Sequence, residues 1–283
     1  MNPPKPSSLT FQELILRLQA FWAERGCVLQ RKCLGFAAVI SLLGCLSALM
    51  PAAVQSRPAV IASVKSIATQ EQLDEWMMRY YQHPRPDLTI SAVEFMAKSG
   101  ELSHKGAQPP IGAFLSEVFI QNPGAVEQWQ TQLRNGTDDQ ERILALALWM
   151  SDVKELLPLL KAMASGSSAS VGEYAKGLLA TRPPDLLRDD VASAGFLDML
   201  WGGFFATGDE RYVRRIIGTL PLAKTEGDIQ EKLIGSAAQW SLTSNATQHT
   251  RVMEICEVEL KRLSDDQKDT LAEVIKRARE KKN

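Results

Sequence analysis

The sequence has few of the residues that crosslink a fold. Of its 283 residues only four are cysteine. Cys27, Cys33 and Cys45 lie near the N-terminus and leave Cys256 alone in the rest of the chain. One cysteine cannot form an intramolecular disulfide, so a disulfide-stapled domain is excluded there. Cys256 falls on the apolar face of a predicted helix, which favours a small buried hydrophobe over a reactive thiol.

Motifs for catalysis are also missing. The three histidines, His83, His104 and His249, are far apart and have no cysteine or carboxylate at metal-ligand spacing. We expect His83 and His104 in solvated loops and His249 in a turn or capping role at the start of a helix. No nucleophile elbow, phosphate loop or dinucleotide fingerprint is present. We therefore assign no catalytic, cofactor-binding or metal-binding residue, and the sequence favours a protein that is not an enzyme.

Acidic pairs are the remaining candidates for a metal site. Asp138-Asp139, Asp189-Asp190 and Asp265-Asp266 lie at or just before predicted helix starts. Negative charge there favours the positive end of the helix dipole, whereas calcium binding needs more ligands in a loop of EF-hand length. We interpret all three pairs as capping residues at helix starts.

The charge balance argues against nucleic acid as a partner. Of 32 basic and 33 acidic residues, five basic and two acidic ones precede position 57, which leaves 27 basic against 31 acidic residues. A net negative surface does not suit a phosphate backbone. The one dense basic cluster, Lys276 to Lys282, complements the C-terminal end of a helix dipole without a partner.

A long apolar run is the most distinctive feature present. Leu34 to Val54 contains no charged residue and follows Arg31 and Lys32. It is long enough to cross a hydrocarbon core of about 30 Å. The layout predicts a signal peptide or membrane anchor over residues 33–56, with cleavage near Ser56, lipidation at Cys45 or retention as alternatives. We expect a periplasmic or membrane-anchored protein that contacts the membrane through residues 34–54 if uncleaved.

The segment before this run has a different character. Residues Leu9 to Gln30 read LTFQELILRLQAFWAERGCVLQ. Their apolar residues recur at helical spacing, and Thr10 with Glu13 forms a capping box. Phe11-Gln12, Leu14 to Leu16, Leu18-Gln19, Phe21 to Ala23 and Gly26-Cys27 resemble the opening of the bacterial glycyl-tRNA synthetase alpha subunit.

The resemblance covers under a tenth of the chain and stops at Gln30. In that family a catalytic sheet follows, whereas here Arg31, Lys32 and the apolar run follow. No synthetase active-site residue carries over. Residues 1–32 are thus explained by a gene fusion or by translation that starts inside the segment, at Val28 or Leu29. A synthetase fragment or fusion without catalytic activity is the alternative function.

The rest of the chain predicts one all-α domain, residues 69–283, after a linker at residues 57–68. No stretch shows sustained two-residue alternation, and capping residues and breakers recur at helical intervals. The predicted helices run from Thr69 to Tyr81, Asp87 to Gly100, Pro110 to Gln121, Gly124 to Leu133, Asp138 to Met150, Lys154 to Ala164, Val171 to Thr181, Ala192 to Ala206, Glu210 to Leu220, Ile229 to Leu242, Gln248 to Leu263 and Asp265 to Lys281.

A weak internal repeat suggests how these helices stack. Trp201 and Trp240 are each followed at the same spacing by valine and then isoleucine: Val213 and Ile216 in one copy, and Val252 and Ile255 thirty-nine residues later in the other. Each copy predicts a helix, a turn and a second helix; the turns are 206–209 and 244–246. This spacing is typical of a solenoid-like stack of helical hairpins, with an irregular helical bundle as the alternative.

Aromatic residues offer the only hint of a binding surface. Ten of them recur at helical spacing: Trp76, Tyr80, Tyr81, Phe114, Phe119, Trp129, Trp149, Trp201, Phe204 and Phe205. Such residues form cores, but they also favour the concave face of a stacked-helix array. The expected function is a protein-interaction or assembly module of the bacterial envelope, with a protein partner of unknown identity. A hydrolase with a site assembled from dispersed helices stays open.

Overall fold

The computed structural model describes residues 64–134 and 136–282, except for the side chains of residues 265–267. These residues form an all-α fold without strands, as the sequence predicts. The helices are α1 Gln70–Arg79, α2 Thr89–Ser99, α3 Gln108–Gln121, α4 Pro123–Leu133, α5 Asp138–Ser151, α6 Leu157–Gly166, α7 Ala169–Leu179, α8 Ala194–Thr207, α9 Glu210–Gly218, α10 Ile229–Gln248, α11 Thr250–Leu260 and α12 Asp265–Lys282. Short 3-10 helices cover Pro86–Leu88, Glu101–Ser103 and Leu220–Lys224. The synthetase-like segment and the apolar run lie outside the described residues.

Local side chains set several helix ends where the sequence predicts them. Thr69 caps α1, since its hydroxyl accepts the backbone N–H of Gln72 at 3.3 Å. Thr137 and Gln140 form a reciprocal capping box at the start of α5. Gly100 ends α2 in the left-handed conformation, with φ 84°. Each of these ends depends on residues within one turn, so short-range reasoning finds it.

The predicted turn at residues 244–246 is wrong, because α10 continues as helix to Gln248. Ala246 is buried. The Thr247 hydroxyl donates to the Thr243 carbonyl oxygen of the same helix at 2.8 Å and also lies 3.4 Å from the Ala278 carbonyl oxygen of α12. Ser, Asn and Thr are weak helix formers, but packing against α12 outweighs that preference. The break falls instead at His249, which alone separates α10 from α11.

Helix α3 is the centre of the described fold. Its sequence QPPIGAFLSEVFIQ is apolar nearly all round, and eight of its residues are buried. Such a helix needs cover on several sides. It packs most extensively against α8 and α5. Glycines permit both approaches: a Cβ on Gly112 would lie 2.8 Å from Leu146 of α5, and one on Gly202 of α8 would lie 2.5 Å from the Pro110 carbonyl oxygen.

An aromatic cluster joins α1 to this centre. Trp76, Tyr80 and Phe114 meet edge to face, with ring centroids 5.1 to 5.6 Å apart. The indole N–H of Trp76 donates to the Arg85 carbonyl at 3.0 Å, which satisfies its one polar atom. Aromatic pairs of this geometry contribute about 0.5–1.5 kcal/mol beyond their area. The cluster therefore ties the first helix firmly to α3.

Contacts between distant parts of the chain favour an irregular bundle over a solenoid. The Tyr81 N–H donates to the Phe205 carbonyl at 2.9 Å, and the Tyr81 ring also lies beside His249. In a solenoid each repeat contacts only its neighbours along the chain. Here the end of α1 meets α8 and the link between α10 and α11. The order of helices in space thus does not follow the order in sequence.

The two C-terminal hairpins are joined by ion pairs. Arg214 of α9 contacts Glu259 of α11 at 2.8 Å, and Arg251 of α11 reaches Glu210 of α9 at 3.3 Å. The Arg251–Glu210 pair is exposed and contributes little, about 0–1 kcal/mol, whereas the Arg214–Glu259 pair is partly buried. They align α9 with α11, while buried side chains such as Val213, Ile216 and Val252 supply the apolar contact.

Packing begins inside the segment that the sequence assigns to a linker. Ile67 is buried, and its N–H donates to the Ser91 hydroxyl of α2 at 3.0 Å. The described part of the domain therefore starts before Thr69.

The close approach at Gly202 generates a first prediction. Gly202→Ala places a methyl group against backbone atoms of α3, which cannot move aside cheaply, so we expect a loss of about 1–3 kcal/mol in the free energy of unfolding. Gly177→Ala in α7 is the matched control, because nothing lies within 4 Å of its added Cβ. That control should be neutral or stabilising by up to about 1 kcal/mol. Urea unfolding followed by circular dichroism measures both; equal effects would contradict the packing argument.

Candidate interaction surface

The described residues do not gather their histidines into a site. His83 and His104 are exposed, as the sequence predicts for loop residues, whereas His249 is buried. No group of three metal-ligating side chains occurs among the residues that the structure describes. The histidines therefore supply no shared chemistry in this part of the chain.

His249 lies in an aromatic pocket. Its ring centroid is 5.3 Å from Phe205 and 6.0 Å from Tyr81, and its Nδ1 is 3.3 Å from the Tyr81 hydroxyl oxygen. Its Nε2 is buried without a hydrogen-bond partner. His249 occupies the N-cap position of α11 as predicted, but its side chain forms no capping hydrogen bond, which corrects that part of the prediction. Enclosure by aromatic rings leaves it closed to a substrate.

Glu117 and Tyr212 form a second pairing that the sequence did not indicate. The Tyr212 hydroxyl donates to the Glu117 carboxylate and joins α9 to α3. Burial raises the pKa of Glu117, and burial with the nearby carboxylate raises the pKa of Tyr212 well above its usual range. The Tyr212 ring packs against Gly203, where a Cβ would lie 2.6 Å away. The pair connects α3 to α9, with Tyr212 buried and Glu117 half-buried.

Cys256 and the acidic pairs mostly have structural roles. Cys256 is fully buried, and burial raises the pKa of its thiol to about 12, which confirms the buried-hydrophobe interpretation. Asp138 begins α5 as predicted, but the predicted capping role is wrong because Thr137 is the cap; Asp138 instead accepts hydrogen bonds from Ser168 and Ser170 at the start of α7.

The prediction for Asp189 and Asp190 is wrong. Ser193, not an aspartate, caps α8. Asp189 instead binds the Arg182 guanidinium through both oxygens at 2.9 Å, and the Arg215 side chain donates to its backbone carbonyl. This holds the long connection between α7 and α8 in place. Helix α12 begins at Asp265, but the side chains of Asp265 and Asp266 are outside the described set.

The aromatic residues singled out by the sequence belong to the core. Seven are buried: Trp76, Tyr80, Phe114, Phe119, Trp129, Trp201 and Phe204. Tyr81, Trp149 and Phe205 are half-buried. The core interpretation is therefore the correct one for most of the set, and none of the ten is freely exposed.

Among the aromatic residues that the structure describes, Trp240 is the one that lies open to solvent. It is 51% exposed, whereas Trp201, at the matching position of the repeat, is 5% exposed. The valine and isoleucine that follow each tryptophan are buried in both copies. The sequence repeat thus correctly relates the second helices of the hairpins but not the tryptophans of the first.

Trp240 shares one side of α10 with three other residues. We name this strip the α10 outer face and define it as Ile229, Leu233, Ser236 and Trp240. These four residues recur at intervals of three and four along α10 and share one side of the helix. Ile229 is 76% exposed. The two large exposed side chains stand eleven residues apart, about 16 Å along the helix axis. Single exposed apolar residues are common, but two on one helix face form a surface that a partner can cover.

Comparison of the chain with protein-family models, curated proteins and solved structures finds no match. The synthetase resemblance over residues 9–30 stays a prediction. In the part of the chain that the structure describes, no helix combines the length and the apolar character needed to cross a bilayer.

The buried His249 predicts a pH dependence of stability. Burial, followed by the positive charge of Arg79, lowers its pKa from 6.5 to about 4 in the folded protein. The unfolded chain takes up this proton below pH 6.5 and the folded chain only below pH 4. The contribution of neutral His249 to the free energy of unfolding is therefore complete above pH 6.5. It is lost as the pH falls toward 4, by at most about 3 kcal/mol.

Urea unfolding at pH 7, 5.5 and 4.5 tests this, with His249→Gln as the variant that cannot titrate at this position. Carboxylates titrate in both proteins, so their effect on the free energy of unfolding cancels when the two proteins are compared. We expect the wild-type protein to lose more stability than the variant over this range. Parallel loss in the two proteins would show that His249 accepts its proton without cost in the folded state.

Proposed function

We propose that this chain is an exported or membrane-anchored bacterial protein whose helical domain binds another protein at the envelope. The observation that carries the proposal is the α10 outer face, with Ile229 and Trp240 exposed on one side of a helix. The described residues supply no group of three metal ligands, and the hydrogen bonds of Glu117 and His249 each join two helices or a helix and a turn. Binding is therefore better supported than catalysis.

The chemistry of the face suits a protein partner. Burying a large apolar side chain contributes about 1.5–3 kcal/mol, and tryptophan is enriched among the residues that dominate binding energy. The residues beside the strip are polar, among them exposed Lys232 and half-buried Gln239. Exposed apolar side chains among polar neighbours are the usual composition of a non-obligate interface. The excess of acidic residues beyond position 57 argues against nucleic acid.

The apolar run carries the part of the proposal that concerns location. Leu34 to Val54 follows two basic residues and has the length and composition of a signal peptide or membrane anchor. Export would bring the helical domain to the periplasm, held at the membrane if the run is retained.

The alternative is a glycyl-tRNA synthetase alpha-subunit fragment or fusion. Its support is the resemblance over residues 9–30. Since no catalytic motif of that family follows in this sequence, we propose no aminoacylation activity for it. The two proposals differ in what they expect of the N-terminus of the protein in cells.

Location is tested by the N-terminal sequence and intact mass of the protein from cytosol, membrane and periplasm of its host. We expect an envelope form that lacks residues 11–30, either soluble and starting near Arg57 or membrane-bound with the apolar run retained. A cytosolic protein that starts at Met1 would contradict export. A membrane form that starts at Met1 would make the synthetase-like opening a true part of the protein and contradict the internal start.

Binding is tested by placing a photo-crosslinking amino acid at position 240 in cells and identifying the captured protein. The partner is then purified and its dissociation constant measured. We expect Trp240→Ala to weaken binding at least tenfold, because the indole loses its apolar contact. The free energy of unfolding should fall by about 1–2 kcal/mol, because the buried half of the indole loses its contacts while the exposed half contributes little.

Ile120→Ala is the matched control for this experiment. Ile120 is also an exposed apolar residue, 41% accessible, but it lies on α3. The control should bind like the wild-type protein. Equal loss in both variants, or unchanged binding in Trp240→Ala, would contradict the α10 outer face as the binding surface.

A further inference from the structure

The α10 outer face has a residue spacing that is the same in both directions along the helix. From Ile229 the steps to Leu233, Ser236 and Trp240 are four, three and four residues. Two copies of α10 that lie antiparallel about a two-fold axis therefore place Ile229 of each copy opposite Trp240 of the other. Leu233 and Ser236 face each other in the same way. Steps of four and three residues are also those of helices that pack side by side in coiled coils.

The exposure of these residues suits a second helix that packs along the strip. Ile229 and Trp240, at its two ends, are 76% and 51% exposed, and Leu233 and Ser236 between them are half-buried. In the antiparallel arrangement each isoleucine meets an indole, so two large apolar surfaces leave water together at each end. A parallel arrangement would also cover the strip. Another property must therefore decide the direction.

Charge at the two ends of α10 favours the antiparallel direction. Residues 225–231 contain three acidic residues and no basic one, with one lysine on each side, and Glu226 and Asp228 are exposed. At the other end of α10, the Thr247 hydroxyl lies 3.4 Å from the Ala278 carbonyl oxygen. This contact places residues 276–282 of α12, five of them basic and one acidic, beside that end. Antiparallel packing brings the acidic end of one copy toward the basic end of the other, whereas parallel packing brings like charges together.

We propose that the partner of the α10 outer face is a second copy of this chain, packed antiparallel about a two-fold axis level with residues 234–235. The proposal names the partner of the surface described above, so it rests on the proposed binding function. Symmetric spacing and opposite charges at the two ends are the properties that a face needs in order to bind itself.

The area of the strip fits a weak dimer. The segment from Ile229 to Trp240 is about 16 Å long and a helix is about 10 Å wide, so the strip alone covers well under the roughly 800 Å² per partner of a stable complex. Interfaces below that size belong to weak and transient complexes. We therefore expect a dissociation constant on the order of 1 μM or higher. Retention at a membrane would concentrate the copies and favour the dimer.

Photo-crosslinking in the full-length protein tests both the partner and the direction. The aromatic crosslinker p-benzoylphenylalanine replaces Trp240, and ordinary and ¹⁵N-labelled copies are mixed in non-ionic detergent. Crosslinked peptides of mixed isotope composition identify contacts between copies. We expect position 240 to capture residues 226–233 of the other copy. The same amino acid at position 120, which is also exposed, should give no crosslink between copies.

Ile229→Asp tests the strength of the interface without a cost to the fold. The new carboxylate opposes burial against the indole of the other copy, whereas negative charge in the first turn of α10 favours the helix itself. We expect the dissociation constant, measured by sedimentation equilibrium in detergent, to rise at least tenfold. Gln230→Asp is the matched control, because it adds the same charge at an exposed position about 100° around the helix. That control should change the constant by less than twofold.

Three results would overturn the proposal. Crosslinks from position 240 to the region of residue 240 in the other copy would mean a parallel dimer. Equal dissociation constants in Ile229→Asp and Gln230→Asp would mean that the copies associate through another surface. Capture of a different protein at position 240 in cells, without crosslinks between copies, would exclude the second copy as partner but support the proposed binding function. The absence of any captured protein would contradict both.

Discussion

The described fold depends on the contact between α3 and α8. Helix α3 is apolar over most of its surface and eight of its residues are buried, so it needs cover on several sides. Gly202 lets α8 approach to backbone distance on one side, and Gly112 receives Leu146 of α5 on another. The other helices are arranged around this pair of approaches. A methyl group at Gly202 tests whether the enclosure tolerates displacement.

Enclosure of α3 also explains why the chain is not a regular stack of hairpins. The first helix reaches α3 through Trp76 and Tyr80, and the end of that helix continues to Phe205 and His249. These contacts join segments that are far apart in sequence. The repeat of Trp201 and Trp240 is present in the amino acids, but one tryptophan faces this core and the other faces solvent. Similar sequences thus occupy different environments because their neighbours differ.

The polar side chains that α3 and its neighbours enclose are paired to different degrees. Glu117 is half-buried and accepts a hydrogen bond from the Tyr212 hydroxyl. His249 and Glu141 each retain one buried atom without a partner. A neutral imidazole tolerates this in an aromatic pocket, whereas a carboxylate oxygen gains much from a donor. The α10 outer face, in contrast, is a surface feature and needs a macromolecular partner.

The amino-acid sequence by itself determined the all-α class, the approximate positions of the twelve described helices, the buried state of Cys256 and the caps at Thr69 and Gly100. Each of these follows from interactions within a few residues or from a periodicity that one segment carries alone. Only the tertiary structure decided that α10 continues through residues 244–246, that Asp189 pairs with Arg182 instead of starting a helix, that Trp240 is exposed, and that Glu141 is buried. These outcomes depend on which segments contact each other in the folded protein. Burial is set by those tertiary contacts, and the sequence of one segment alone does not specify them.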